Sequence, residues 1–338
     1  MSLIYYSEEE DNNKEESINK YKDLFLDYEK KLPTLSEALN QMFQSSNLDE
    51  QKCNELTNDI LDKCKEVINN NFDKIKEKYN EISKEDAYII SSYTCESKQK
   101  KYSPYRLLNS NLVSDNRKKG IKNICKYLYI FLKSLRKLTR YYPKAPNKYL
   151  YRCIENKVSI AKDPFNDKLV PYIIGNKKTF WGFTSTSSNP KTTYNFLKEE
   201  EKIKVGTLFI LGGDIWGYDI TLFNYFGEEE ILLEPEKKFI IDNVLPPLNE
   251  VINVSCTLLE TPLILDKNKE IIESDFIDNP EEDKILKLRA KDNNKELNIP
   301  DIIDTSKEDK NLKQIREDNE TREYEGEGPK AKCGCFII

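Results

Sequence analysis

Gly227-Glu228-Glu229-Glu230-Ile231-Leu232-Leu233 runs three acids straight into an apolar strand. Side chains alternate along a strand, so Glu228 and Glu230 point one way and Glu229 the other. Two carboxylates then share one face at the mouth of a sheet. Acid/base chemistry, or the stabilisation of a developing cation, needs that arrangement. A charged turn before a strand has the same sequence, so the meaning of the stretch depends on its surroundings.

Composition narrows the chemistry. The 338 residues include no histidine, which removes Ser/His/Asp and Cys/His nucleophile systems, histidine-ligated metals and a histidine base. Eight cysteines are scattered without a CxxC pair. No metal site is expected, and free thiols in a cytosolic setting are the natural reading. Met1-Ser2-Leu3-Ile4-Tyr5-Tyr6 lacks the basic region and apolar core of a secretory signal. No apolar run approaches the roughly 20 residues that cross a bilayer. The chain carries 53 Lys/Arg and 59 Asp/Glu, a net charge of −6. Residues 266–332 hold 14 Lys/Arg and 20 Asp/Glu, so the acidic excess is concentrated there. No nucleic-acid partner is expected from these totals.

Outward from the acids, the pattern divides. Residues 1–84 form a helical N-terminal region: Leu24, Phe25 and Tyr28 recur at helical spacing until Pro33, then Leu35, Leu39 and Phe43, then a Leu56-Ile60-Cys64-Ile68 stripe ending in Asn69-Asn70-Asn71. Ser83-Lys84-Glu85-Asp86 reads as a helix start. A long amphipathic helix carries Ile121, Ile124, Leu128, Phe131, Leu132, Leu135 and Leu138 on one face, with Tyr141-Tyr142-Pro143 as its stop. Beyond Pro146 the period changes to that of strands. Tyr149 to Ile154 is the first, and it places Arg152 on the face of Leu150 and Ile154. A buried arginine needs an anionic partner, either an internal carboxylate or a ligand. Phe180-Trp181-Gly182-Phe183 precedes Thr184-Ser185-Thr186-Ser187-Ser188, a hydroxyl row that would equally suit a water-facing edge strand. Asn189-Pro190 opens a short helix. Val205 to Leu211 is apolar on both faces, hence a central strand. A loop-rich aromatic connection, Ile215 to Phe226, leads into the acids, and Phe239–Ile241 and Val251–Leu259 supply the last strands. Helices first and short strands after make an α+β fold over residues 85–265.

Arg152, Ser185-Thr186-Ser187 and Glu228-x-Glu230 thus fall in order on three separate strands. This ordered set resembles the Arg / Ser-Thr-Ser / Glu-x-Glu signature of the arginine-specific mono-ADP-ribosyltransferases. The resemblance extends to Tyr93-Thr94, Tyr105 to Asn109 and Tyr151-Arg152, and covers roughly 85–265. It implies a helical lobe followed by a split, mainly antiparallel β core around an NAD crevice. NAD is implied as substrate, with no metal, and a protein with an exposed arginine as acceptor. It further implies that Glu230 stabilises the cation that grows on the nicotinamide ribose, while Glu228 orients the acceptor guanidinium and takes its proton. Arg152 and Ser185 would hold NAD, with Thr186 and Ser187 in lesser roles and Phe183 a candidate nicotinamide contact. Tyr225 and Phe226 fall where the family recognises its acceptor. Glu at 228 favours arginine over other acceptors. A module that binds NAD without turnover, or an NAD glycohydrolase, would carry the same residues.

The chain ends Cys335-Phe336-Ile337-Ile338, which resembles a prenylation (CaaX) box. One lipid holds weakly, so a second signal is expected, and Cys333 is a candidate palmitoylation site. Residues 333–338 therefore read as a lipidation motif and 266–332 as a charged, disordered tether. Together they imply attachment to the cytosolic face of a membrane.

Overall fold

The computed structural model describes residues 5–7 and 17–260, apart from 145–147, 156–157, 163–168, 171, 196, 200–201, 204 and 249–250. The tether at 266–332 and the motif with Cys333 and Cys335 lie outside the described residues.

Helices come first. A 3-10 segment, Ile18–Phe25, runs into α1 (Leu26–Lys30), then α2 (Leu35–Gln44), α3 (Glu50–Lys78), α4 (Lys84–Thr94), α5 (Pro104–Leu112) and α6 (Arg117–Leu135). Local chemistry sets the starts. Thr34 and Ser83 close capping boxes with Glu37 and Asp86, Asp49 caps α3, and Pro104 opens α5. The asparagine run does not end α3, which continues to Lys78. Ile75, fully buried, carries the apolar stripe onward, and its burial outweighs the weak helix propensity of three asparagines. At the other helix the difference runs the opposite way. α6 stops at Leu135, because Arg140–Tyr141 is taken into a sheet.

In chain order the strands are β1 (Tyr5–Ser7), β2 (Arg140–Tyr141), β3 (Leu150–Glu155), β4 (Val158–Lys162), β5 (Leu169–Val170), β6 (Lys177–Phe180) and β7 (Thr184–Thr186). After α7 (Pro190–Asn195) come β8 (Lys198–Glu199), β9 (Lys202–Ile203), β10 (Gly206–Gly212), β11 (Gly217–Asp219), β12 (Ile231–Leu233), β13 (Lys237–Leu248) and β14 (Val251–Glu260). The larger sheet has the order β3-β10-β14-β13-β6, and a second has the order β2-β11-β12-β7. In these two sheets every pairing is antiparallel except β10 with β14. The expected α+β architecture with a split, mainly antiparallel β core is therefore present. β10 is buried at all seven residues, as its sequence announces, but it lies second in the larger sheet, where β14 takes the centre. The aromatic connection before the acids is more ordered than expected. It contains β11 and a 3-10 turn at Thr221–Phe223, short elements held by tertiary pairing instead of local propensity.

Three apolar cores follow from this layout. The helices share one, which also receives Phe183, Trp216, Tyr218, Phe223 and Leu232 from the β half. A second, containing Leu150, Phe209, Ile231, Leu233 and Phe239, fills the space between the two sheets. On the outer face of the larger sheet Tyr151, Leu208, Ile210, Tyr194 and Leu197 pack together.

Glu236 ties the helical and β halves. It sits at positive φ (64°) between β12 and β13 and is buried. Its carboxylate accepts from Arg117 Nη2 at 2.7 Å, Ser17 Oγ at 2.7 Å and the Ile18 amide at 2.7 Å. Truncating it strands the buried Arg117 charge. Glu236→Ala is expected to lower unfolding stability by about 3–5 kcal/mol in denaturant titrations, and a loss under 1 kcal/mol would contradict this role.

Candidate active site

The placement of the site begins with strand register. In the β7–β12 pair Ile231 lies opposite Thr186, Leu232 opposite Ser185 and Leu233 opposite Thr184. β3 meets the end of β7 through a single bridge, with Tyr151 and Ser187 exchanging backbone bonds of 2.9 Å each way. That bridge brings the edge of the larger sheet against the smaller one. A crevice with a cavity volume of about 130 Å³ opens along the seam, with α4 supplying Tyr93 and Thr94 to its wall.

Arg152, Ser185, Thr186, Ser187, Glu228 and Glu230 all line this crevice. Ser185 Oγ donates to Glu230 Oε1 at 2.5 Å. Asn224 Nδ2 donates to the other oxygen, Oε2, at 2.7 Å. The Glu230 side chain is half-buried, and desolvation raises its carboxyl to about 7; the charge of Glu228 adds to this, while Ser185, Asn224 and Arg152 pull it down. Arg152 is buried at 6% exposure. Its Nη1 donates to the Ser185 carbonyl at 3.1 Å, and its Nε has no partner. Burial depresses the guanidinium to about 10, against the opposing pull of Tyr93 and Glu230. No carboxylate forms an ion pair with Arg152 among the described residues, so the internal salt bridge that could have explained it is missing there. The Tyr151 hydroxyl is likewise buried without a partner beside the same crevice. Arg152 Nε and the Tyr151 hydroxyl are thus two buried polar atoms without a hydrogen-bond partner, in residues that line one crevice.

The remaining candidates separate. Thr186 Oγ1 donates to the Ile231 carbonyl at 2.6 Å and Ser187 Oγ to Glu229 at 3.3 Å, so both brace the strand pair. Glu229 does not leave the site as strand alternation predicts: it lines the same crevice as Glu228 and Glu230, and it also accepts from Ser188 N (3.1 Å) and Ser188 Oγ (2.5 Å), which pins the turn after β7. Phe226 lines the crevice beside Glu228, whereas Tyr225 packs toward the helices, under Lys63 at 5.7 Å. Phe183 is not at the crevice: it is 2% exposed in the helical core, against Phe131 at 5.0 Å and Tyr93 at 5.9 Å.

Sequence reasoning passed over Asn224. Buried at 5% exposure, it holds Glu230 with its amide nitrogen, while its Oδ1 accepts from the Phe226 amide at 2.8 Å and the Glu228 amide at 3.5 Å. One side chain thereby shapes the turn and aims the carboxylate. Its only sequence signal was an Asn three residues before Gly227, which takes φ +69°. Asn109 acts at one remove: its Oδ1 accepts from Phe183 N at 2.9 Å, and a Cβ at Gly182 would meet that oxygen at 2.8 Å.

No protein-family model matches the chain, and no curated protein does. Solved structures do match. Vis toxin, an ADP-ribosyltransferase from Vibrio splendidus, aligns at 16% identity and TM-score 0.39 over 66% of this chain and 90% of its own. The ADP-ribosyltransferase HopU1 of Pseudomonas syringae pv. tomato DC3000 aligns at 15% and 0.39 over 59% and 87%. The eukaryotic mono-ADP-ribosyltransferase ART2.2 aligns at 14% and 0.40 over 70% and 88%. At such values, function has to be judged from the site itself.

Because the folded carboxyl of Glu230 sits near 7, above its ordinary 4.5, ionised Glu230 opposes folding. That cost is absent below about pH 4.5, grows as pH rises, and is complete above 7. Glu230→Gln is therefore expected to melt several degrees above the parent at pH 8, the gap closing as pH falls toward 4.5. A variant less stable than the parent at pH 8 would refute it.

Proposed function

We propose that this chain transfers ADP-ribose from NAD to an arginine side chain of a target protein, releasing nicotinamide, while held at the cytosolic face of a membrane by a C-terminal lipid. One observation carries the catalytic part: an anchored carboxylate, Glu230, and a buried guanidinium, Arg152, with no carboxylate ion pair among the described residues share one crevice.

In the reaction the bond from the anomeric carbon of the ribose to the nicotinamide nitrogen breaks, and its electron pair leaves with nicotinamide. A guanidinium nitrogen of the acceptor bonds to the same carbon, and a proton is released. The residues divide the task. Arg152 engages phosphate or ribose oxygens through its unpaired nitrogen. Ser185 and Asn224 hold Glu230 with both oxygens engaged, so the carboxylate is fixed before the ligand arrives. Glu230, in its ionised form, offsets the positive charge that grows on the sugar. Glu228, at the mouth beside Phe226, pairs with the acceptor guanidinium and takes up the proton. Two carboxylates suit the two tasks because their environments differ, one desolvated and anchored, the other at the rim.

The purified chain incubated with NAD and agmatine should release nicotinamide and form ADP-ribosyl-agmatine. Glu230→Gln should lower release by about 10²–10³-fold. Glu228→Ala should abolish transfer to agmatine while hydrolysis of NAD persists. Equal release by the parent and Glu230→Gln would overturn this function. NAD-dependent thermal stabilisation without release would identify a binding module, and release without labelled agmatine a glycohydrolase.

For the anchor, support comes from Cys335-Phe336-Ile337-Ile338 alone. Expressed in eukaryotic cells fed a labelled isoprenoid precursor, the chain should take up label and Cys335→Ser should not. Undiminished label in that variant would remove the prenylation proposal.

A further inference from the structure

Between Asp115 and Glu155 the chain places 12 Lys/Arg and not one acid in 39 residues, although acids outnumber bases overall. About half of this segment is α6, and the helix sorts its residues sharply. Arg117 is spent inside, on Glu236. The apolar side, from Ile121 and Ile124 to Phe131 and Leu135, is buried. At 3.6 residues per turn, Lys118, Lys119, Lys122, Lys126 and Lys133 fall within an arc of about 100°. Four of them are exposed and Lys126 is half-buried, and Tyr129 is the only other residue in the arc. None of the five forms an ion pair among the described residues. At the helix start Lys118 shares a shallow pocket with Lys20 and Asp115, one base and one acid.

The surroundings do not neutralise this face. Glu37, which feels Lys126 and Lys31, is held in its capping box with Thr34. Alongside, α1 carries Asp27, Glu29 and Lys30, and Lys31 follows as its C-cap, so the charges of this short stretch balance. A lysine row without a paired acid is costly to keep together unless something anionic meets it.

We infer that the lysine face of α6 docks on an anionic lipid surface. Three observations select a membrane over other polyanions. The charges are all lysines, point charges on flexible stems, suited to a diffuse anionic layer; bidentate readers of phosphate or base edges are arginines. Aromatic platforms for base stacking are missing from the arc, since Tyr129 packs against Phe25 (6.2 Å) and Tyr28 (5.8 Å). Finally, the orientation suits a peripheral enzyme. Phe131, roughly 160° round the helix from the centre of the arc, stacks on Tyr93 at 5.0 Å, and Tyr93 lines the crevice. A surface held by the lysines leaves the crevice on the far side of α6. The face is also the kind of second signal that a single lipid requires, residing in the folded part of the chain instead of beside Cys335.

The test uses the full chain made without lipid modification, mixed with phosphatidylcholine vesicles with or without 30% phosphatidylserine and sedimented. Binding to the anionic vesicles only, falling steeply with salt, is expected. Replacing Lys118, Lys119, Lys122, Lys126 and Lys133 together by Gln should weaken it at least about a hundredfold, whereas Gln at Lys52, Lys65 and Lys74 should not. Both variants should keep the parent's melting temperature, which excludes misfolding. Equal binding to neutral vesicles, or undiminished binding by the five-lysine variant, would overturn the proposal. So would tighter, lysine-dependent binding to an RNA oligonucleotide than to anionic vesicles. These outcomes do not depend on whether the chain cleaves NAD.

Discussion

A hydroxyl-to-carboxylate hydrogen bond across two short strands, Ser185 to Glu230, is the constraint on which the crevice depends. It exists only in one register of β7 against β12, and a slip of one residue would turn Ser185 to the opposite face. What pins the register is burial on both sides of β12. Ile231 and Leu233 enter the core between the sheets, while Leu232 enters the helical core. Each fully buried chain of this size is worth about 1.5–3 kcal/mol, so three of them outweigh any single polar contact. The apolar triplet therefore places the acids that precede it, and the site inherits its accuracy from packing.

The electrostatics of the crevice are those of two opposite charges held under similar pressure. Desolvation drives Glu230 toward its protonated form and Arg152 toward its neutral one, and each partly restrains the other. They are not joined in an ion pair, and the carboxylate is held instead by a hydroxyl and an amide. Such an arrangement leaves the guanidinium's remaining donor unspent. A fully paired site would be more stable and less receptive, since a ligand would first have to break the pair.

Much of this was legible beforehand, for physical reasons that differ by residue. Arg152, Ser185 and Glu230 could be assembled from sequence because strand alternation fixes which side chains share a face, and because their order along the chain matched a known signature. β10 was legible from its two-faced apolarity. Asn224 was not, since an asparagine in an aromatic loop looks like turn chemistry, and its bond to Glu230 arises from a backbone path that no periodicity encodes. Strand alternation set Glu229 opposite Glu228 and Glu230, yet it lines the same crevice and clamps Ser187 and Ser188, because β12 begins only at Ile231 and the acids before it do not follow strand alternation. β2, β6 and β11 have two to four residues each and no pattern to detect; neighbours already in place recruit them. The lysine face of α6 was hidden by averaging, for whole-chain totals conceal a local run.

The parallel pairing of β10 with β14 bears on how the chain acquires its crevice. Between these neighbouring strands run β11, the aromatic turn, the three acids, β12 and β13. The whole acidic wall is thus a long excursion closed by its last strand. A chain emerging from the ribosome up to Leu233 already contains Arg152, Ser185 and Glu230, but lacks the central strand that completes the sheet beneath them. Helices α2 to α6 can gather early through near-sequence contacts, whereas the larger sheet must wait for β14 to join β10 to β13. Synthesis order therefore leaves a partly made chain holding Arg152, Ser185 and Glu230 before the larger sheet is joined.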